Sequence, residues 1–248
     1  MLTGTFHART AVALIAMMLF TQVYAEGFSG TWQSSYGELR VHQTDDVIIG
    51  DYADVGILLG QVTGENCVSG IFTNGGRFGE FTFRIIADGQ IKGRYRWSGG
   101  QSADVWDAER ISAATPSAFT NFTRTGGSPT HIANDAAVFT GRHASSYGEL
   151  NLRDSDLFLF GDYADRGVVA ARWNGRFYEG VFTNRFLDGN QVGWLQWEAD
   201  VLARDLRGGS YEIIGGDSGN WALSAFEPGQ SALQNLKVAG ACAPMWPF

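Results

Sequence analysis

Phe28-Ser-Gly-Thr-Trp-Gln-Ser-Ser-Tyr-Gly-Glu-Leu39 returns later in the chain as Phe139-Thr-Gly-Arg-His-Ala-Ser-Ser-Tyr-Gly-Glu-Leu150. Gly50-Asp-Tyr-Ala-Asp-Val-Gly56 returns as Gly161-Asp-Tyr-Ala-Asp-Arg-Gly167 at the same offset of 111 residues. Across Phe28–Gly56 and Phe139–Gly167, 15 of 29 positions are identical. Phe72-Thr-Asn74 recurs as Phe182-Thr-Asn184 after a one-residue gap, and Gly99-Gly100 before Trp106 mirrors Gly215-Gly216 before Trp221. The chain is a duplication. Each copy is longer than the usual solenoid repeat, so each is expected to fold as its own small domain.

Inside each copy the pattern is that of short strands. The first copy gives eight candidates: 28–34, 38–43, 47–53, 57–63, 67–73, 79–86, 91–97 and 105–111. Gly79-Glu-Phe-Thr-Phe-Arg-Ile85 alternates apolar and polar residues, as a half-buried strand does. Ser35-Tyr36-Gly37 and Asp54-Val55-Gly56 end on glycine, which takes the positive φ of a tight hairpin. Short links favour an antiparallel meander, and eight such strands can close and remove their edges. The fold expected is all-β: two tandem antiparallel eight-stranded meander barrels. A sixteen-stranded membrane barrel is disfavoured, because its strands run about 9–11 residues and most of these are shorter.

Around the repeats, residues 1–25 carry Arg9, an apolar run from Ala11 to Phe20 and Val23-Tyr24-Ala25, the grammar of a cleaved secretory signal. That implies a secreted or periplasmic protein with no membrane span after cleavage. The units are then 26–111 and 139–226, joined by a linker at 112–138 and followed by a tail at 227–248. The linker is rich in Ser, Thr, Ala and Pro, with Phe119 and Phe122 able to pack on a domain; the tail offers one helical turn, Ser231 to Lys237. Export permits a Cys67–Cys242 disulfide, the alternative being two separate thiols.

Composition narrows the function. With 33 glycines, 13% aromatics and 18% charged residues, the 248-residue chain is neither disordered nor coiled-coil. Its net charge of −8 disfavours nucleic acid as a partner. His42, His131 and His143 have no metal-ligand spacing, and no nucleophile elbow is readable. No cofactor or metal is implied, and catalysis is not the leading reading. Asp51 and Asp54, repeated as Asp162 and Asp165, form a possible carboxylate pair; the alternative is Asp51 in solvent with Asp54 and Asp165 starting turns. Glu38 and Glu149 begin strands and either anchor a polar ligand or pair with a nearby arginine. The tryptophans read first as barrel core.

Gly30-Thr31-Trp32, then Ser34 and Gly37, then Ile49-Gly50-Asp51-Tyr52 with Gly56, resembles the opening of avidin-type barrels. Gly193-Trp194-Leu195-Gln196-Trp197 is similar to that family's later Gly-Trp-x-x-x-Trp strand at a different spacing, and Gly-x-Trp also opens lipocalins. The resemblance implies calycin-type barrels binding a small molecule or polymeric ligand at their mouths. It points to Trp32, Ser34, Glu38, Tyr52 and Asp54 in copy 1, and to Ser145, Glu149, Tyr163 and Asp165 in copy 2. Glu38, an acceptor when ionised, stands where a biotin-binding barrel needs a donor, so biotin is not expected to bind tightly. Copy 2 has His143 in place of the tryptophan. The other reading is a structural or protein-interaction module of the cell envelope.

Overall fold

The computed structural model describes residues 27–64, 66–124, 138–155, 157–164, 166–186, 189–200, 203–229 and 233–236. The signal segment 1–25, Asp165, Cys242 and Ser231, Ala232 and Lys237 of the 231–237 turn lie outside them.

Copy 1 contributes nine strands: β1 Gly30–Ser34, β2 Gly37–Thr44, β3 Val47–Tyr52, β4 Gly56–Gly64, β5 Cys67–Asn74, β6 Arg77–Ala87, β7 Gln90–Trp97, β8 Asp104–Val105 and β9 Ala108–Ser112. β1 to β7 pair in antiparallel sequence, and β9 pairs with both β7 and β1, which closes the ring. The strand expected at 105–111 is interrupted: β8 and β9 both lie along β7, separated by Trp106 and Asp107. Trp106 is thereby turned into the barrel, where it is buried.

Copy 2 runs β10 Gly141–Ser145, β11 Gly148–Ser155, β12 Phe158–Tyr163, β13 Gly167–Trp173, β14 Phe177–Phe186, β15 Gly189–Asp200, β16 Asp205–Ile213 and β17 Ser218–Pro228. These eight strands form a second closed barrel. Among the described residues no helix is long and apolar enough to cross a membrane.

Both barrels are filled. Trp32, Leu39, Val41, Ile48, Tyr52, Leu58, Phe72, Phe81, Phe83 and Trp106 pack inside the first. Leu150, Leu152, Leu159, Tyr163, Tyr178, Phe182, Trp197 and Trp221 pack inside the second. The register of β2 is fixed by this packing: Leu39 and Val41 point in and Arg40 points out, so Arg40 and His42 do not line the interior.

A third apolar core joins the two barrels. The outer positions Val47, Ile49, Ile57, Leu59, Ile71 and Phe78 meet Phe158, Phe160, Val168, Ala170, Val181 and Val192. β3 and β12 are consequently buried on both faces, which is why their sequences, Val-Ile-Ile-Gly-Asp-Tyr and Phe-Leu-Phe-Gly-Asp-Tyr, do not alternate. Phe119 and Phe122 of the segment between the barrels enter this core, as do Leu233 and Leu236 after β17.

The contact is close to self-complementary, as in a two-fold dimer. Thr44 Oγ1 and Ser155 Oγ, repeat-equivalent residues, are 2.8 Å apart. At the other end the β5–β6 turn meets the β16–β17 turn, where a Cβ at Gly76 would stand 3.3 Å from Ile214. The β7–β8 turn reciprocally approaches the start of β15, Gly99 lying against Asn190. Equivalent ends therefore meet, and the barrels lie side by side in the same direction.

Candidate functional site

Each barrel has a shallow cavity at the end bearing the β1–β2 and β3–β4 turns, or their equivalents in copy 2. In barrel 1 it has a volume of about 230 Å³ and is lined by Tyr36, Tyr52, Val55, Phe72, Asn74, Tyr95, Trp97 and Trp106. In barrel 2 the matching space is about 60 Å³, lined by Tyr147, Tyr163, Arg166, Phe182, Asn184, Tyr211, Ile213 and Trp221.

The aromatic geometry is duplicated closely. Tyr36 meets Tyr95 edge-on at 5.3 Å, and Tyr147 meets Tyr211 at 5.4 Å. Trp106 lies 4.7 Å from Tyr52 and 5.3 Å from Phe72, and Trp221 lies 4.8 Å from Tyr163 and 5.3 Å from Phe182. Edge-to-face packing at these separations suits the ring quadrupoles. The Tyr95 hydroxyl donates to Tyr36 at 3.3 Å and the Tyr147 hydroxyl to Tyr211 at 2.9 Å. Those contacts, with burial, raise the Tyr95 and Tyr211 phenol pKa values above the ordinary range. Burial does the same to Tyr52 and Tyr163, whose hydroxyls donate to Thr73 and Thr183 carbonyls at 3.0 and 2.9 Å. Tyr52, Tyr95, Tyr163 and Tyr211 are therefore neutral phenols at physiological pH.

Two polar atoms at the mouths have no partner among the described residues. Trp106 Nε1 is a buried donor in barrel 1, and Asn184 Oδ1 a buried acceptor in barrel 2. In barrel 2 the equivalent indole, Trp221 Nε1, donates to Ser145 Oγ at 3.1 Å. An unmet buried polar group costs about 1–3 kcal/mol, so each atom favours a ligand that meets it.

The residues singled out in the sequence take several roles. Tyr52 and Tyr163 line the mouths. Ser34 is spent on its own hairpin: its hydroxyl donates to the Gly37 carbonyl at 2.7 Å and accepts from Tyr36 N. Ser145 does the same for the second hairpin, to Gly148 at 2.6 Å and Tyr147. Trp32 is fully buried below the mouth, its Nε1 donating to the Phe28 carbonyl at 3.0 Å. Glu38 and Glu149 face outward, half exposed, near Arg40 and Arg142. Asp54 lies exposed in the β3–β4 turn. Trp32, Ser34 and Tyr52 do not converge as hydrogen-bonding groups in one site.

Asp51 departs from the solvent-facing alternative: it is fully buried, as is Asp162. Arg40 donates to it through Nε at 2.7 Å and NH2 at 3.1 Å, and the Asn121 backbone N–H adds a bond at 3.1 Å. Burial raises the Asp51 pKa, and these donors work against the rise. The Asn121 side chain donates to the Tyr52, Ala53 and Gly56 carbonyls. After barrel 2, Gln234 and Asn235 donate through their backbone N–H groups to Asp162, and the Asn235 side chain to the Ala164 and Gly167 carbonyls. The repeated aspartates are thus anchors for two clasps, Phe119-Thr-Asn-Phe122 and Leu233-Gln-Asn-Leu236. The clasps belong to the duplicated unit although only their Asn is shared.

Tyr36 and Tyr147 belong to the repeated Ser-Ser-Tyr-Gly, and Asn74 and Asn184 to Phe-Thr-Asn, repeats that by themselves signal no site. Tyr95 and Tyr211 do not stand out as a repeat in the sequence, because insertions move the offset from 111 to 116 residues. Cys67 is disulfide-bonded, and the chain has one other cysteine, Cys242.

Comparison with protein-family models, curated proteins and solved structures returns no match for this chain. Two closed eight-stranded antiparallel barrels in tandem are consistent with calycin-like barrels, and the functional reading rests on the mouths themselves.

Proposed function

We propose that the protein is an exported, non-catalytic binding module that holds a small or extended ligand at its barrel mouths. The observation that carries this reading is the duplicated aromatic mouth: the same rings at the same separations, kept although their sequence spacing has drifted. Pockets that combine aromatic walls with a few polar atoms are the usual form of ligand sites. The filled interiors restrict the ligand to the rim. An avidin-like mode, with a ligand seated deep in the barrel on Ser34 and Glu38, is not supported, since one hydroxyl is used by the hairpin and the carboxylate faces out. The same filled interiors favour the second reading, a structural or protein-interaction module.

Export rests on the signal-like segment, and the bonded state of Cys67 is in keeping with an oxidising compartment. We assign the units to 26–111 and 139–226, each with its clasp. The test of binding is tryptophan fluorescence against a panel of small molecules and oligosaccharides, repeated on Tyr95→Ala and Tyr211→Ala. The expected result is a ligand whose signal weakens in one or both variants. A ligand whose binding ignores both substitutions overturns the mouth assignment. N-terminal sequencing of the exported protein should begin at Glu26.

A further inference from the structure

We infer that the two mouths act as a pair on one extended, neutral glycan chain. The inference rests on the binding reading above and adds a substrate class and a mode. It starts from the placement of the barrels. The β5–β6 turn of barrel 1 meets the β16–β17 turn of barrel 2, and Thr44 meets Ser155 at the opposite end. The mouth-bearing ends are therefore together, and both cavities open on one side of the molecule. A ligand longer than one mouth can reach both without bending around the protein.

The chemistry of the walls selects the class. Filled barrels leave no channel for a long apolar chain along the axis. At the rims Tyr36 and Tyr147 are 43% and 37% exposed, so their ring surface is available to a ligand. Beside them, among the described residues, barrel 1 holds a donor without a partner, Trp106 Nε1, and barrel 2 an acceptor without one, Asn184 Oδ1. A hydroxyl is both donor and acceptor, so one repeating hydroxylated unit satisfies both mouths. A pyranose ring supplies those hydroxyls together with a flat C–H face that packs on an aromatic ring. The net charge of −8 disfavours a polyanionic chain. Joining two weak sites through one ligand multiplies affinity by about 10²–10⁴ when the span matches.

The experiment is calorimetric titration of the full exported chain with β-1,4-linked glucose oligomers of increasing length, from the disaccharide to long soluble chains. It is run on wild type, Tyr36→Ala, Tyr147→Ala and the double variant. Both side chains are exposed at the rim, and unchanged circular dichroism and melting establish that each variant is folded. The expected result is a rise of at least about tenfold in affinity once the oligomer spans both mouths. Each single variant should lose that rise and keep the affinity for short oligomers, and the double variant should lose both. Affinity that is independent of length, with binding retained, overturns the pairing and leaves the binding reading intact. Absence of binding at every length to the folded wild type overturns the glycan assignment, and the broader panel then decides whether the mouths bind anything else.

Discussion

Barrel 1 carries Trp32 where barrel 2 carries His143, and the cross-strand neighbours differ too, Arg110 in one and Phe226 in the other. The interactions nevertheless correspond. Trp32 Nε1 donates to the carbonyl four residues back, Phe28, at 3.0 Å, and His143 Nε2 lies 2.9 Å from the Phe139 carbonyl. In barrel 1 the Arg110 guanidinium lies 4.3 Å over the Trp32 ring; in barrel 2 Phe226 stacks on His143 at 4.6 Å. What the duplication retained is an N–H on a flat ring with a flat partner above it. Both members of the pair differ between the copies. Both buried aspartates accept backbone N–H bonds from their clasps, Asp51 from Asn121 and Asp162 from Gln234 and Asn235; Asp51 also takes the Arg40 guanidinium, at a position that is Asn151 in copy 2.

That last contrast gives the largest expected effect. Arg40→Met should remove about 3–5 kcal/mol of stability, because it takes the hydrogen-bonded cation from a buried carboxylate and leaves only Arg172 coupled to it. Asn151→Ala should cost under about 1 kcal/mol, as half-exposed surface substitutions do. Urea unfolding of both variants checks the pair, and equal losses would show that the aspartates are held in the same way.

Next in size are the first hairpins. Gly37 and Gly148 have φ of +102° and +109°, a region costly for a side chain, so valine at either should destabilise by about 1–3 kcal/mol. An unchanged melting temperature in one barrel only would reveal a turn that relaxes there. The clasps follow. Asn121→Ala and Asn235→Ala each remove side-chain bonds to backbone carbonyls and should cost about 1–2 kcal/mol. A much smaller loss for Asn235 would mean that the second clasp contributes less than the first.

The smallest effect separates the barrels by pH. Burial lowers the His143 pKa below its ordinary 6.5, against the opposing pull of the Phe139 carbonyl and Asp154. The unfolded chain therefore takes up this proton first on acidification. The contribution of neutral His143 is intact above pH 6.5 and declines as pH falls below it toward the folded-state value. Stability measured from pH 7.5 to 5 should fall less steeply in His143→Trp, which installs the barrel 1 ring. Identical slopes would remove His143 as an acid-sensitive group.

Much of this architecture is legible in the chain. The duplication, the strand alternation of Gly79–Ile85 and the hairpin at Gly37 define two closed eight-stranded barrels, because pairing register and turn chemistry are local properties; in the Asp54-Val55-Gly56 turn the positive φ falls on Ala53, at +44°, and not on the glycine. The unbroken apolar runs of β3 and β12 also carried a signal for the inter-barrel core, since a strand covered on both faces has no polar side to show. Within the site, the tyrosines of the repeated Gly-Asp-Tyr are legible as site residues, and they line the mouths.

Other features were fixed only by tertiary structure. Alternation places Asp51 on the outer face but does not say what covers that face; the neighbouring barrel and the clasp do. Ser34 reads as a free donor until the hairpin closes and its hydroxyl meets the Gly37 carbonyl. Tyr95 and Trp106 join Tyr36 and Tyr52 only when the barrel closes, because residues distant in sequence become neighbours around a ring and Trp106 turns inward at the break between β8 and β9. The chain by itself determined two barrels. The packing of one outer face on the other decided that their mouths share a side.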